Sequence, residues 1–140
     1  MNLTSEELAN MFDHTCLKAF ATEADFVKLC GECTKYGFKM AAINSVRVGL
    51  CKRLLQGSGV NVGAAISFPL GQTTIATKLF ETADAIKNGV DEIDYVINVA
   101  ELKNGNTAYI EGEMAQIVQL CKSHRVTSKV IFENCYLTKD

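Results

Sequence analysis

The fold of this chain is decided by the stretch VDEIDYVINV at residues 90–99. Its length, its β-branched and aromatic residues and the glycine before it predict a short buried β-strand. Side chains alternate between the two faces of a strand, so Ile93, Tyr95 and Ile97 share one face. That face is entirely apolar and suits a covering layer of helices.

The opposite face of the same stretch carries Glu92, Asp94, Val96 and Asn98. Two carboxylates stand where a simple sheet core would have Val or Leu. Burying a carboxylate is costly unless it is paired. We therefore interpret Asp94, more than Glu92, as a residue that is either satisfied by a local partner or retained for chemistry.

The composition is that of an ordinary globular protein. The 140 residues suit one domain, which we place at residues 1–140, and charged residues make up 21% of the chain. The net charge of −2 provides no basic surface for nucleic acid or for an anionic membrane. No apolar run has transmembrane length and no signal peptide begins at residues 1–4, so we expect a cytoplasmic protein.

Two of the six cysteines, Cys30 and Cys33, form a CxxC pattern. The pattern falls inside a predicted helix rather than at a strand-to-helix turn, and no second CxxC accompanies it. A redox pair or a zinc site is therefore disfavoured, and we expect free buried thiols in a reducing compartment.

Strands and helices are predicted to alternate along the chain, with a loop at residues 98–106. The predicted strand centres are Asp13, Ala42, Ala65, Asp94 and Val130. This alternation indicates an α/β fold with parallel strands joined by helical crossovers. A barrel segment and a doubly wound sheet suit the pattern equally well. A dinucleotide-binding or P-loop fold loses support because neither glycine motif is present.

Six short motifs then occur in order along the sequence. They are DHT at 13–15, FPLG at 68–71, FET at 80–82, EIDYVIN at 92–98, LKNG at 102–105 and KVIFE at 129–133. Together they strongly resemble bacterial deoxyribose-phosphate aldolase, from about residue 13 to residue 137. The resemblance implies a TIM-type (β/α)8 barrel, of which this chain supplies the N-terminal portion as a partial barrel of about five strands.

The resemblance also implies an activity, that of a class I aldolase in deoxyribonucleotide catabolism. Such an enzyme cleaves 2-deoxy-D-ribose 5-phosphate into glyceraldehyde 3-phosphate and acetaldehyde through a Schiff base on a lysine. Neither a metal nor another cofactor is implied. The implied partner is a small phosphorylated sugar or aldehyde, with no nucleic acid and no membrane.

Four residues of this chain match site residues of the family. Asp94 matches the proton-relaying aspartate, Lys129 matches a supporting lysine of strand five, and Asp13 and Thr15 match substrate-binding residues of strand one. Because Lys129 and Asp94 would face one interior, we expect them to pair and to favour each other's charged form. His14 is expected to act as a hydrogen-bonding residue rather than a catalyst.

The Schiff-base lysine of the family lies in a Lys-Thr-Ser-Thr-Gly-like segment of strand six, and no such segment occurs in this chain. A second lysine and the glycine-rich phosphate loops of later strands are also missing. We therefore expect no activity from the chain alone. Three hypotheses remain open: the front part of an aldolase, a non-catalytic partial barrel that needs a separate C-terminal half, and a small-molecule binder that kept the pocket residues.

A partial barrel is also expected to expose apolar residues of its inner face, namely Ala42, Ile66, Val96 and Ile131. Its first and fifth strands would be unpaired edges. Covering both features requires another chain, so we expect a homo-oligomer or a complementary C-terminal half.

Overall fold

The structure is a computed structural model that describes residues 3–139. Its strands are β1 Asp13–Cys16, β2 Met40–Asn44, β3 Asn61–Ile66, β4 Glu92–Val96 and β5 Thr127–Ile131. They form one parallel sheet in the sequential order β1-β2-β3-β4-β5. Every predicted strand centre falls within its strand, so the predicted parallel α/β architecture is confirmed.

Six α-helices lie in this part of the chain. They are α1 Ser5–Ala9, α2 Glu23–Tyr36, α3 Val48–Leu54, α4 Ile75–Lys87, α5 Val99–Lys103 and α6 Thr107–Ser123. Side-chain caps fix the starts of α1, α4, α5 and α6, as at Thr74, whose hydroxyl accepts the amide N–H of Thr77 at 3.2 Å. Among the helices of residues 3–139, none has the length and apolar character needed to cross a membrane.

Two predicted boundaries around β4 are wrong. The strand predicted over residues 90–99 is limited to Glu92–Val96, and the predicted loop at residues 98–106 contains α5. Asn98 caps α5 by accepting the amide N–H of Glu101 at 3.2 Å, so Asn98 does not continue the strand face. A helix of this length is too short to produce a recognisable apolar period in the sequence.

The main core lies between one face of the sheet and the helices. Its buried strand residues are Ala41, Ile43, Val62, Ala64, Ile66, Ile93 and Tyr95, and Ile97, directly after β4, belongs to the same core. The CxxC thiols of Cys30 and Cys33 are buried in the same core within α2, and both are free. This agrees with the interpretation of the CxxC as apolar packing.

The opposite face, here called the inner face, is less apolar than expected. Paired residues of a parallel sheet point to the same side, so Val96 and Ile131 share the inner face. Ile66 pairs with Tyr95 and points into the helix-covered core instead, which makes its predicted inner position wrong. Val96 is fully buried, so only Ala42 and Ile131 of the four predicted residues are partly exposed there.

The sheet is strongly curved around its inner face. Four inter-strand spacings of about 4.8 Å would separate β1 from β5 by roughly 19 Å in a flat sheet. The Nζ atom of Lys129 on β5 nevertheless lies 2.9 Å from Oδ2 of Asp13 on β1. This contact requires the five strands to curl as the strands of a barrel do, which together with helices on the outer face gives a partial (β/α) barrel.

Candidate active site

The inner face carries one cluster of four charged side chains. The ammonium of Lys129 donates hydrogen bonds to Oε1 of Glu92 at 2.6 Å and to Oδ2 of Asp13 at 2.9 Å. It also lies 3.2 Å from Oδ1 of Asp94. The cluster therefore joins β1, β4 and β5 on the concave side of the sheet.

Strand register explains why these residues meet. Asp94 is paired with Lys129 across β4 and β5, so their side chains project side by side. Glu92 lies two residues before Asp94 and shares its face. Asp13 belongs to the cluster only because the sheet curls, since three strands separate β1 from β5.

The cluster holds three carboxylates and one ammonium, and burial decides how the charges are distributed. Burial alone would lower the pKa of Lys129, but the hydrogen bonds to Glu92 and Asp13 and the charge of Asp94 raise it above its usual range. Burial raises the pKa of Asp94 to about 7, Glu92 adds to this rise, and Lys129 opposes it. Lys129 therefore stays protonated at neutral pH, whereas Asp94 titrates near neutral pH.

The expected proximity of Lys129 and Asp94 is present, but its expected electrostatic effect is correct for only one partner. Pairing favours the charged form of Lys129, whereas Asp94 has its pKa raised because burial outweighs the attraction. Within residues 3–139 the buried Oδ1 of Asp94 accepts no hydrogen bond, since its contact with Lys129 lacks hydrogen-bond geometry. A sequence pattern gives neither the depth of burial nor the angle of this contact.

The carboxylates of Asp13, Glu92 and Asp94 each place an oxygen within 4.8 Å of the others, an arrangement that could ligate a cation. The ammonium of Lys129 already lies in contact with all three. It supplies the positive charge that three neighbouring carboxylates need.

Thr15 and His14 of β1 lie on opposite faces of the sheet. Thr15 shares the inner face with Asp13, and its hydroxyl donates to the backbone carbonyl of Asp13 at 2.9 Å. His14 points to the other side, where its Nε2 lies 2.7 Å from Oε2 of Glu32 and its ring packs against Phe38. The sequence-based interpretation of His14 as a hydrogen-bonding residue agrees with this placement.

A buried ion pair that the sequence did not predict lies below the carboxyl end of β4. Lys78 of α4 and Glu113 of α6 are both fully buried, with Nζ and Oε1 2.6 Å apart. Lys78 also donates to the carbonyl of Val96 at 2.7 Å, and Oε2 of Glu113 accepts the amide N–H of Asn98 at 3.1 Å. The pair therefore fixes the main chain that directly follows Asp94.

A signal for this pair exists in the sequence. Lys78 lies four residues before Thr82 and seven before Ala85, on the stripe of α4 that is buried against the sheet. A lysine on a core-facing stripe indicates a buried partner, although the sequence does not reveal which acidic residue that is.

The turn after β3 closes on the same end of β4. Gly71 has φ +66°, and a Cβ atom there would lie 2.0 Å from the carbonyl oxygen of Ile97, so only glycine is accommodated. Glu81 of α4 holds the start of this turn, because its carboxylate accepts the amide N–H of Ser67 at 2.9 Å and the hydroxyl of Ser45 at 2.8 Å. These contacts shape a cleft of about 390 Å³ at the carboxyl ends of β2 and β3.

Comparisons with known proteins agree with this geometry, although no family model matches the chain. The chain is 55% identical over 140 residues to deoxyribose-phosphate aldolase of Lactobacillus acidophilus, covering 100% of this chain and 59% of that protein. It is 52% identical over 139 residues to the enzyme of the same name from Bacteroides thetaiotaomicron, covering 58% of it. This chain is similar to the deoxyribose-phosphate aldolases throughout its length.

A solved aldolase has the same arrangement of strands and helices. The tetrameric deoxyribose phosphate aldolase of Aeropyrum pernix superposes with a TM-score of 0.88 and 32% sequence identity, over 96% of this chain and 56% of that one. The likeness favours the barrel over the doubly wound sheet that the sequence left open. This chain spans less than two thirds of the length of the curated aldolases it matches.

We expect Lys78→Met to lower the free energy of unfolding by about 3–5 kcal/mol, because it leaves the Glu113 carboxylate buried without a cation. The double variant Lys78→Met/Glu113→Leu removes both charges and should recover most of this loss. Denaturant unfolding followed by circular dichroism measures both values. Lys28→Met is a control at an exposed lysine, 3.9 Å from Glu32, and should leave the unfolding midpoint nearly unchanged. Equal losses in the single and double variants would contradict this account.

We expect Asp94 to make stability depend on pH. Its pKa is raised from 3.8 to about 7 in the folded chain, so the folded state binds more protons than the unfolded state between these values. Its favourable contribution is therefore complete below about pH 4 and is lost as the pH rises through 7, with a total on the order of a few kcal/mol.

Asp94→Asn has no proton to lose, so its stability relative to the unsubstituted chain should increase between pH 4 and 7. Urea unfolding of both chains across this interval measures the difference. A difference that stays constant with pH would show that Asp94 titrates alike in the folded and unfolded chains.

Proposed function

We propose that this chain provides the first five strand–helix units and the acid–base cluster of a deoxyribose-phosphate aldolase. The reaction is cleavage of 2-deoxy-D-ribose 5-phosphate to glyceraldehyde 3-phosphate and acetaldehyde through a Schiff base, with no metal or other cofactor. Residues 1–140 form a single domain in this proposal. Asp94 relays protons, Lys129 supports it, and Asp13 and Thr15 contribute to substrate binding.

The observation that carries this proposal is the buried carboxyl group of Asp94 beside Lys129 on the concave face of the sheet. A proton relay requires a group that exchanges its proton near the operating pH, and the pKa of Asp94 is raised to about 7 by burial. The identity of 55% to an aldolase over the whole chain supports the same function. An ordinary structural ion pair would instead keep the carboxylate ionised far below neutral pH.

We further propose that the chain alone does not turn over substrate. A Schiff-base lysine must react as a free amine. Lys129 is the lysine of this cluster, and its pKa is raised because the hydrogen bonds to two carboxylates outweigh the effect of burial. Lys78 is fully buried against Glu113 and does not reach the concave face. Neither lysine therefore suits the role of nucleophile, and in this proposal the reactive amine is supplied by a complementary C-terminal half, as the resemblance to the aldolases implies.

We expect no stoichiometric adduct when the chain is incubated with acetaldehyde and borohydride and its intact mass is measured. Addition of a polypeptide that carries the remaining strand–helix units should produce an adduct on that polypeptide. Cleavage of 2-deoxyribose 5-phosphate should then appear. Asp94→Asn should reduce this cleavage by about 10²-fold or more, as loss of a general acid–base does. Glu111→Gln, an exposed change on α6, serves as the control.

An adduct on Lys129 that disappears in Lys129→Leu, together with cleavage by the chain alone, would overturn the proposed inactivity. Lys129 would then be a relocated Schiff-base lysine. If the adduct forms on the added polypeptide and Asp94→Asn leaves the rate of substrate cleavage unchanged, Asp94 does not relay protons.

A second candidate is a non-catalytic partial barrel that assembles with another chain. It is favoured by the edges of the sheet, because within residues 3–139 β1 and β5 each pair with one strand. Exposed strand edges bind further strands readily. The partner would be a second copy of this chain or a separate C-terminal half.

We expect the purified chain to sediment as a dimer or larger oligomer at micromolar concentration, because pairing covers both edges and the partly exposed inner face. Sedimentation equilibrium measures the mass, and circular dichroism checks that the chain is folded. A folded, monodisperse monomer would contradict assembly of identical chains, and would leave the aldolase proposal and pairing with a separate C-terminal half intact.

A further inference from the structure

Glu92 is the acidic group closest to Lys129, although neither the resemblance nor the sequence pattern assigns it a role. Its Oε1 lies 2.6 Å from Nζ, compared with 2.9 Å for Asp13 and 3.2 Å for Asp94. Only the contacts of Glu92 and Asp13 have hydrogen-bond geometry. The ammonium is thus held by the two residues that flank Asp94 rather than by Asp94 itself.

The charge balance of the cluster leaves one carboxyl group uncompensated. One ammonium faces three carboxylates, and neighbouring carboxylates that share a site do not all ionise together. The side-chain exposures are 36% for Asp13, 17% for Glu92 and 10% for Asp94. Desolvation penalises the charged form most strongly at the most buried group, so Asp94 is the one that keeps a proton.

We propose that Glu92 is a positioning residue of the aldolase site: together with Asp13 it retains the ammonium of Lys129 and leaves Asp94 as the carboxyl group that takes up and releases a proton. The catalytic use of that proton depends on the function proposed above. The arrangement of charges does not depend on it, since it concerns residues that all lie within this chain.

The groups that face Asp94 are few and can be named strand by strand. Glu92 faces it from β4 and Lys129 from β5, and Asp13 of β1 places a carboxylate oxygen within 4.8 Å of it while also accepting a hydrogen bond from Lys129. On the β3 side its paired neighbour is Ala65, which carries no charge. The helices pack against the other face of the sheet. A change in the titration of Asp94 can therefore be traced to these few side chains.

The test is a ¹³C NMR titration of the carboxyl carbon of Asp94 in the 140-residue chain. In Glu92→Gln a like charge is lost and the ammonium of Lys129 becomes free to donate to Asp94. We expect the midpoint of Asp94 to fall by about 1 pH unit. Lys129→Met should move the midpoint in the opposite direction. Glu111→Gln, the same change on the exposed face of α6, should leave it unaltered.

A purely structural role for Glu92 would lower the unfolding midpoint of Glu92→Gln without moving the titration of Asp94, and this result would overturn the proposal. If Glu92→Gln does not fold, the same NMR titration of the unsubstituted chain tests the proposal. Asp94 should then be the last of the three carboxyl groups to ionise as the pH rises, and any other order would overturn the proposal. A confirmed shift combined with failed complementation would reject the aldolase function and keep the positioning role.

Discussion

The ion pair between Lys78 and Glu113 is the interaction on which the arrangement around β4 depends. It joins α4 to α6 in a site without exposure to solvent, and both partners also bind the main chain just after the strand. A buried pair contributes little net stability compared with apolar residues, but breaking it is costly. Its main consequence is geometric: the backbone that carries Asp94 is held between two helices.

The concave face is governed by a different balance. There the cost of burying Asp94 exceeds the attraction of an ammonium 3.2 Å away, because that ammonium is hydrogen-bonded to Glu92 and Asp13. Lys129 and Asp94 consequently behave in opposite ways. Lys129 stays an ammonium, and Asp94 becomes a carboxyl group that exchanges a proton near neutral pH. The concave face of the sheet thus holds a carboxyl group that titrates near neutral pH beside a lysine that stays charged.

Much of the fold was predictable from local patterns. The succession of strand-like and helical segments along the sequence located the five strands, and in the structure the hydroxyls of Thr4 and Thr74 cap helix starts. The failures lie where tertiary contacts decide. The sequence predicts Ile66 on the inner face, whereas strand pairing turns it into the core, and it predicts a loop at α5 because that helix depends on the cap at Asn98.

The sequence by itself determined the parallel α/β architecture and the grouping of Asp13, Asp94 and Lys129, because side-chain alternation and ordered motifs are local properties of the chain. Only the tertiary structure decided how those residues interact. The curl of the sheet brings Asp13 of β1 to Lys129 of β5 across 116 residues, and it leaves Glu92 rather than Asp94 as the closest partner. Burial then sets which carboxyl group keeps its proton, since desolvation depends on every element packed around the group and not on its neighbours in sequence.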